Sequence, residues 1–148
     1  MKSATDRMLT AIYCDDIRYE MGNKLSFMGC YQGELFVPAA PTMLAKLCIH
    51  VTAWTPIARP FKSLIFRVLI DEKTELARQV VPPEYFVELP DTPDKTATRI
   101  TNSAMLVFSP FVIEKPIILR VMADTEEGEI SGPRLLIKIV PEMAYVPG

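Results

Sequence analysis

This sequence has very little histidine and lacks the common sequence motifs for catalysis. His50 is the only histidine among 148 residues. No G-x-S-x-G, H-E-x-x-H or P-loop pattern occurs in the chain. Hydrolytic triads and metal-activated water need partners at recognisable spacing, and His50 is flanked instead by Val51, Thr52 and Trp54. We therefore expect a protein that is not an enzyme and that uses no cofactor.

Cysteine is scarce and shows no metal-binding or disulfide pattern. Cys14, Cys30 and Cys48 are an odd set without C-x-x-C spacing. Neither a zinc knuckle nor a disulfide framework is indicated by such a set. We interpret the three residues as small members of the core.

Long apolar runs and blocks of like charge are missing as well. The apolar runs 64–66 and 117–119 each end at an arginine, so no segment is long enough to span a membrane. The polar residues 2–7 precede no secretory segment, which predicts a cytoplasmic protein. The net charge of −2 comes from 16 basic and 18 acidic residues that are scattered along the chain. This distribution argues against general nucleic-acid binding.

Alternation of apolar and polar residues is the dominant pattern that is present. In residues 62–72, Leu64, Phe66, Val68 and Ile70 alternate with other residues, which predicts a strand with one buried face. Residues 11–37 read as a hairpin whose turn is at Gly22 and Asn23. The 13 prolines lie at the ends of such runs or between them, and no long window keeps helical spacing.

These strands predict an all-β fold. We expect residues 1–148 to form a single domain, an antiparallel β-sandwich of about seven to nine strands that is C2-like or immunoglobulin-like. The proline-rich and acidic segment 82–96 is predicted to be a long loop, anchored by Tyr85, Phe86 and Val87. Residues 126–128 and the pair Gly132 and Pro133 are predicted to be turns before the last strand.

Parts of the sequence resemble a known family. They are I-Y-C-D-D-I-R at residues 12–18, G-N-K-L-S at residues 22–26, the turn at residues 29–33 and G-P-R-L at residues 132–135. With these features the chain resembles a bacterial and phage family of small β-sandwich proteins known only as a domain of unknown function. The resemblance covers nearly the whole chain. It implies a bacterial or phage setting and supplies no catalytic residue.

The second faces of three predicted strands each carry one basic residue between two apolar ones. The triplets are Ile65-Arg67-Leu69, Ile118-Arg120-Met122 and Leu136-Lys138-Val140. From them we take Ile65, Arg67, Leu69, Arg120, Met122 and Lys138 as candidate binding residues. Such a face suits a protein partner, a second copy of the chain, or a small anionic ligand or anionic lipid. Alternatively, the basic residues are gatekeepers that prevent aggregation of apolar strands.

Acidic residues cluster at predicted strand ends. Asp15, Asp16, Asp71 and Asp124 are the candidate ligands of a calcium site, since C2-type sandwiches gather such loops at one end. Against this hypothesis, the sequence contains no D-x-D-x-D-G spacing, and acidic residues are ordinary in solvated turns. A calcium-dependent C2-like module therefore remains an alternative. The main prediction is a non-enzymatic interaction or structural module that self-associates through the half-apolar sheet face.

Overall fold

β-Strands make up most of the described part of the protein. The computed structural model describes residues 6–86 and 96–144, which contain 11 strands, two short 3-10 turns and no α-helix. The strands are β1 (Met8–Glu20), β2 (Lys24–Cys30), β3 (Glu34–Val37), β4 (Thr42–Leu44), β5 (Leu47–Pro56), β6 (Leu64–Ile70), β7 (Thr74–Val80), β8 (Arg99–Phe108), β9 (Phe111–Ile113), β10 (Ile117–Thr125) and β11 (Gly128–Ile139).

Nine of these strands form two sheets that enclose the core. The four-stranded sheet has the order β2-β1-β5-β8, and the five-stranded sheet has the order β3-β11-β10-β6-β7. β4 and β9 form a separate two-stranded ribbon. This arrangement confirms the predicted all-β sandwich. One pairing departs from the antiparallel pattern, because β3 runs parallel to β11.

Alternation along the strands decides which side chains enter the core. In β6, Leu64, Phe66 and Val68 are buried, whereas Ile65 and Arg67 are only partly covered. The inner face of β5 in the opposite sheet is fully buried at Leu47, Ile49 and Val51. These inner faces belong to one hydrophobic cluster, as expected for two sheets packed face to face.

The predicted loop 82–96 is described only in part. Residues Pro83–Phe86 form a 3-10 turn, in which the predicted anchoring to the core is confirmed for Phe86 and was wrong for Tyr85. Phe86 packs against the core cluster, and Tyr85 is exposed. Val87 and residues 88–95 lie outside the described residues.

Gly132 and Pro133 were predicted to form a turn, and this prediction was wrong. The turn is at residues 126–127, and β11 continues through both residues with an irregular register opposite β10. A side chain at Gly132 would lie 2.5 Å from Val121 Cγ2 and 2.9 Å from Leu9 Cδ2. Glycine is therefore needed for close packing at a bulge, which sequence alone cannot distinguish from a turn.

The strand β1 changes its partner halfway along its length. Residues 8–14 pair with β5, and residues 14–20 pair with β2. Cys14 lies at the crossover and pairs with both neighbours. The second half of β1 and the whole of β2 therefore form a hairpin that extends beyond the end of β5, which begins at Leu47. Its turn contains Gly22 and Asn23 with φ angles of 88° and 57°, which confirms the predicted hairpin turn.

This hairpin bends back over the outer face of the four-stranded sheet. The Phe27 ring lies 5.3 Å from the His50 ring, although their register partners on β1 are Ile17 and Ile12. In a straight strand those partners would be about 17 Å apart. The bend occurs near Asp15 and Gly29, where Gly29 has a φ of 67°. Tyr31 donates a hydrogen bond from its hydroxyl to the Asp15 carboxylate and so holds the bend.

A buried arginine joins the first residues of the described chain to the turn between β10 and β11. The Arg7 side chain is 7% exposed and donates to both carboxylate oxygens of Glu126, at 2.9 and 2.8 Å. It also donates to Thr55 Oγ1 at 2.9 Å and lies 4.5 Å from the centre of the Phe61 ring. This hydrogen bonding by Arg7 lowers the pKa of Glu126 to about 2. The two sheets are thus joined by a charged contact at one end.

We expect Gly29→Ala to destabilise the protein more than Gly33→Ala. Both glycines have a positive φ, but an added Cβ at Gly29 would lie 2.8 Å from Asp15 Cγ, whereas at Gly33 nothing lies within 4 Å. The expected loss in the free energy of unfolding is about 2 kcal/mol at Gly29 and about 1 kcal/mol at Gly33. Urea unfolding measures both. Equal losses would show that Asp15 does not pack against Gly29 as described.

The contact between Arg7 and Glu126 should make stability depend on pH. Because the folded state lowers the Glu126 pKa from 4.5 to about 2, its contribution is complete above pH 4.5 and is lost as the pH falls towards 2. Glu126→Gln should reduce stability at neutral pH by about 2 kcal/mol, since it removes one of the two carboxylates that bind the buried Arg7 and leaves only that of Glu127. The difference from wild type should shrink between pH 4.5 and 2.

The exposed Glu114 supplies the control for this experiment, because Glu114→Gln changes the same charge at a distance from Arg7. In thermal unfolding, the melting temperature of this control should change with pH in the same way as that of wild type. If the melting temperature of Glu126→Gln also changed with pH in the same way as that of wild type, the assigned contact would be contradicted.

Candidate functional site

The predicted binding residues share the outer surface of the five-stranded sheet. β6, β10 and β11 are neighbours in that sheet. Arg67 faces Met122 across the β6 and β10 pair, and Leu69 faces Arg120. We call this outer surface the basic-apolar face. It comprises the outward residues of these strands and of the flanking β3 and β7, namely Glu34, Phe36, Ile65, Arg67, Leu69, Glu75, Arg78, Val80, Ile118, Arg120, Met122, Asp124, Glu129, Ser131, Arg134, Leu136 and Lys138.

The three predicted basic residues, Arg67, Arg120 and Lys138, follow a diagonal on this face, which also carries Arg78 and Arg134. Arg67 lies level with Met122, whereas Arg120 lies level with Leu69 and Arg134. Lys138 lies further along, opposite Phe36 of the edge strand β3. The predicted triplets are therefore on one surface, with each successive base shifted along the strand direction.

Each of the three bases is already bound to an acidic residue of the same chain. Arg67 Nη2 donates to Asp124 and Glu129, both at 3.0 Å. Its Nε also lies 3.0 Å from Asp124 Oδ2, an ionic contact without hydrogen-bond geometry. Arg120 Nε donates to Glu72 at 2.7 Å. In the same way, Lys138 Nζ donates to Glu34 at 2.7 Å.

With Glu72 at its edge, this face carries five basic and five acidic residues, and apolar side chains lie between the charges. Met122 is only 7% exposed, although it lies on the outer surface. Phe36 and Val80, near the two edges of the sheet, are 42% and 57% exposed. Half-buried aliphatic side chains lie between those edges, namely Ile65, Leu69, Ile118 and Leu136.

The carboxylates predicted for a calcium site are not brought together. Asp71 follows the end of β6, whereas Asp124 faces Ile65 at the beginning of that strand. Asp15 and Asp16 belong to the other sheet. Asp71 accepts a hydrogen bond from the Ile118 backbone at 2.9 Å, and Asp16 pairs with a lysine. Within the described ranges, no group of three or more His, Cys, Asp or Glu residues could hold a metal ion.

The cysteines form an arrangement that sequence reasoning missed. Cys14 faces Cys30 on β2 and also faces Cys48 on β5, so the three lie at one level across adjacent strands. We predicted small core residues, but Cys14 alternates with the inward residue Tyr13 and points to the outer side of the sheet. Cys14 and Cys48 are buried there, and Cys30 is exposed.

The bent hairpin supplies the environment of the two buried thiols. Cys14 Sγ donates to the Asp16 carbonyl at 3.4 Å, and Cys48 Sγ lies 3.9 Å from the Asp15 carbonyl. Burial, with a smaller contribution from the other two cysteines, raises the pKa of Cys14 to about 11. Burial also raises the pKa of Cys48. The sequence did contain a signal for one of these pairings. Cys14 and Cys30 are equally distant from the turn residue Gly22, and residues at equal distance from a hairpin turn face each other on the two strands.

An open groove lies between the bent hairpin and the outer face of the four-stranded sheet. Its volume is about 560 Å³, and its lining includes Tyr19, Leu25, Phe27 and His50. Burial lowers the pKa of His50, which favours its neutral form. The Phe27 ring contacts it edge to face. His50 is thus a packed residue of the groove wall.

Comparison with known proteins gives no further assignment: no family model, no curated protein and no solved structure matches this chain. The resemblance to a bacterial and phage family therefore stays a prediction. No helix among the described residues has the length and apolar character needed to cross a membrane.

Proposed function

We propose that this chain is a cytoplasmic, non-enzymatic interaction module that self-associates through the basic-apolar face. The observation that carries the proposal is that Arg67, Arg120 and Lys138 share this face and are each bound to an acidic residue of it or at its edge. Apolar side chains lie between these pairs. Such a surface is neither a fully solvated face nor a core face.

The charge balance of the face favours a second copy of the chain as the partner. In a two-fold interface the same patch is used by both subunits, so every base must find an acid within that same patch. The basic-apolar face meets this requirement, because Glu34, Glu75, Asp124 and Glu129 lie on it together with the five bases, and Glu72 lies at its edge. In such a dimer, the bases of one copy bind acidic residues of the other copy. The apolar side chains of both copies are then covered by the interface.

The internal ion pairs count against the anionic-ligand alternative. A phosphate or a carboxylate would have to compete with Glu72 for Arg120 and with Glu34 for Lys138. Charged donors that are already satisfied offer less to a new anion than free ones do. The gatekeeper interpretation also accounts for the bases, but it gives no role to the exposed Phe36 and Val80. The resemblance noted in the sequence would place a self-associating module of this kind in a bacterial or phage setting.

We expect the wild-type protein to be a dimer at micromolar concentration and Phe36→Lys combined with Val80→Lys to be a monomer. Both side chains are exposed, so the substitutions should leave the fold intact while adding two unpaired charges to the interface. Size-exclusion chromatography with light scattering measures the mass, and circular dichroism checks the fold.

The matched control is Val107→Lys combined with Val112→Lys, because these valines are 50% and 54% exposed but lie on other surfaces. The control should remain a dimer. A wild-type protein that stays monomeric up to high micromolar concentration would contradict the proposal. Loss of the dimer in the control as well would show that the interface is elsewhere.

A further inference from the structure

The cysteine row contains a pair whose geometry permits a covalent bond. We propose that Cys14 and Cys30 are a redox-active thiol pair, which a small disulfide oxidant such as oxidised glutathione converts into a cross-strand disulfide at the base of the hairpin. This inference is independent of the proposed self-association, because the pair lies in the four-stranded sheet.

The hydrogen-bond pattern of the hairpin establishes how close the two residues are. The Tyr31 N–H donates to the Tyr13 carbonyl at 2.8 Å, so those two residues form a hydrogen-bonded pair. Pairs alternate along an antiparallel ladder, which makes Cys14 and Cys30 a non-hydrogen-bonded pair. In such pairs the Cα atoms are about 4.5 Å apart and the side chains are closest. That separation lies within the range of disulfides, about 4.4 to 6.8 Å.

Exposure decides the order of the reaction. Cys30 is exposed, whereas Cys14 is 0% and Cys48 is 1% exposed. The oxidant therefore meets Cys30 first. The Cys30 thiolate attacks one sulfur of oxidised glutathione, which forms a mixed disulfide and releases one glutathione thiolate.

The second exchange closes the bond inside the protein. The Cys14 thiol loses its proton to solvent, and its sulfur attacks the Cys30 sulfur of the mixed disulfide. The new bond joins Cys14 to Cys30, and the second glutathione leaves as a thiolate. In total, two protein thiols are oxidised and one glutathione disulfide is reduced to two glutathione molecules. Reductants such as dithiothreitol reverse the reaction.

Cys48 is the third thiol of the row and the alternative partner of Cys14. It faces Cys14 from β5, and its sulfur is directed at the Asp15 carbonyl. Because the mixed disulfide forms on Cys30, the first internal bond that Cys14 can make is to Cys30. We therefore expect Cys48 to remain a thiol under mild oxidation.

The bond would fix the hairpin where it bends. It closes a loop from residue 14 to residue 30, which contains the Asp15 and Gly29 bend and the turn at Gly22 and Asn23. Closing a loop of this size restricts the unfolded chain. It also ties together the two strands that form one wall of the groove beside His50. Oxidation would thus stabilise the hairpin and restrain the groove.

The chain is well suited to a direct test, because trypsin separates the three cysteines. Cleavage after Arg7, Arg18, Lys24, Lys46 and Lys62 leaves Cys14, Cys30 and Cys48 in different peptides. The folded full-length protein is treated with oxidised glutathione, blocked with an alkylating reagent, digested and measured by mass spectrometry without reduction. We expect the peptide of residues 8–18 to be joined to that of residues 25–46, with loss of the mass of two hydrogens.

Single substitutions distinguish this bond from other products. Cys48→Ser should retain the link, whereas Cys14→Ser should stop at a glutathione adduct on Cys30, and Cys30→Ser should give no link. Oxidised wild type should melt about 5 °C or more above the reduced protein. The Cys14→Ser variant should not show this shift. An adduct on Cys30 that never resolves in wild type, or a link between Cys14 and Cys48 as the main product, would overturn the proposal.

Discussion

The fold depends on a single strand that belongs to two pairings. β1 is held by β5 along its first half and by β2 along its second half, and Cys14 is the residue at which the change occurs. If β1 were paired with β5 along its whole length, the hairpin would continue the sheet as a flat extension. Instead, the residues beyond Cys14 are free to bend at Asp15 and Gly29. The bend covers Cys48, brings Phe27 onto His50 and creates the groove.

The outer face of the opposite sheet is organised by charge. Arg67, Arg120 and Lys138 are each bound to an acidic residue within the same chain, and the shortest contacts are 2.7 Å. The intramolecular pairs allow aliphatic side chains such as Ile65 and Leu136 to remain partly covered near the surface, because the long stems of the bases pack along them. The same pairs leave the face without a large excess charge. The proposed association with a second copy rests on this combination.

The local alternation of apolar residues was sufficient to predict much of the fold. Leu64, Phe66 and Val68 specified β6 and its buried face, and Gly22 with Asn23 specified the first hairpin turn. Gly132 shows where this reasoning fails. A glycine followed by proline is typical of a turn, and only the neighbouring Val121 and Leu9 reveal that a close approach inside β11 requires it. The parallel pairing of β3 with β11 is likewise a long-range feature with no local signal.

The candidate sites were predictable to different degrees, because local patterns can be read from the sequence and long-range contacts cannot. That Arg67, Arg120 and Lys138 share a face followed from strand alternation and adjacency, whereas their acidic partners did not. Glu72 and Glu34 are distant from Arg120 and Lys138 in the sequence and meet them only in the folded sheet. The cysteine row required the register of two strand pairs. Half of that register was implied by the position of Gly22, but the pairing of Cys14 with Cys48 was not.

Nuclear magnetic resonance offers the most direct test of the change of partner in β1. His50 is the only histidine, so its ring protons are readily identified. The structure predicts nuclear Overhauser effects from the His50 ring to the Phe27 ring and between the Cys14 and Cys30 Hα protons, which face each other in a non-hydrogen-bonded pair. Effects between Cys14 and Cys30 without any between His50 and Phe27 would describe a straight hairpin and contradict the bend. The absence of both would contradict the pairing itself.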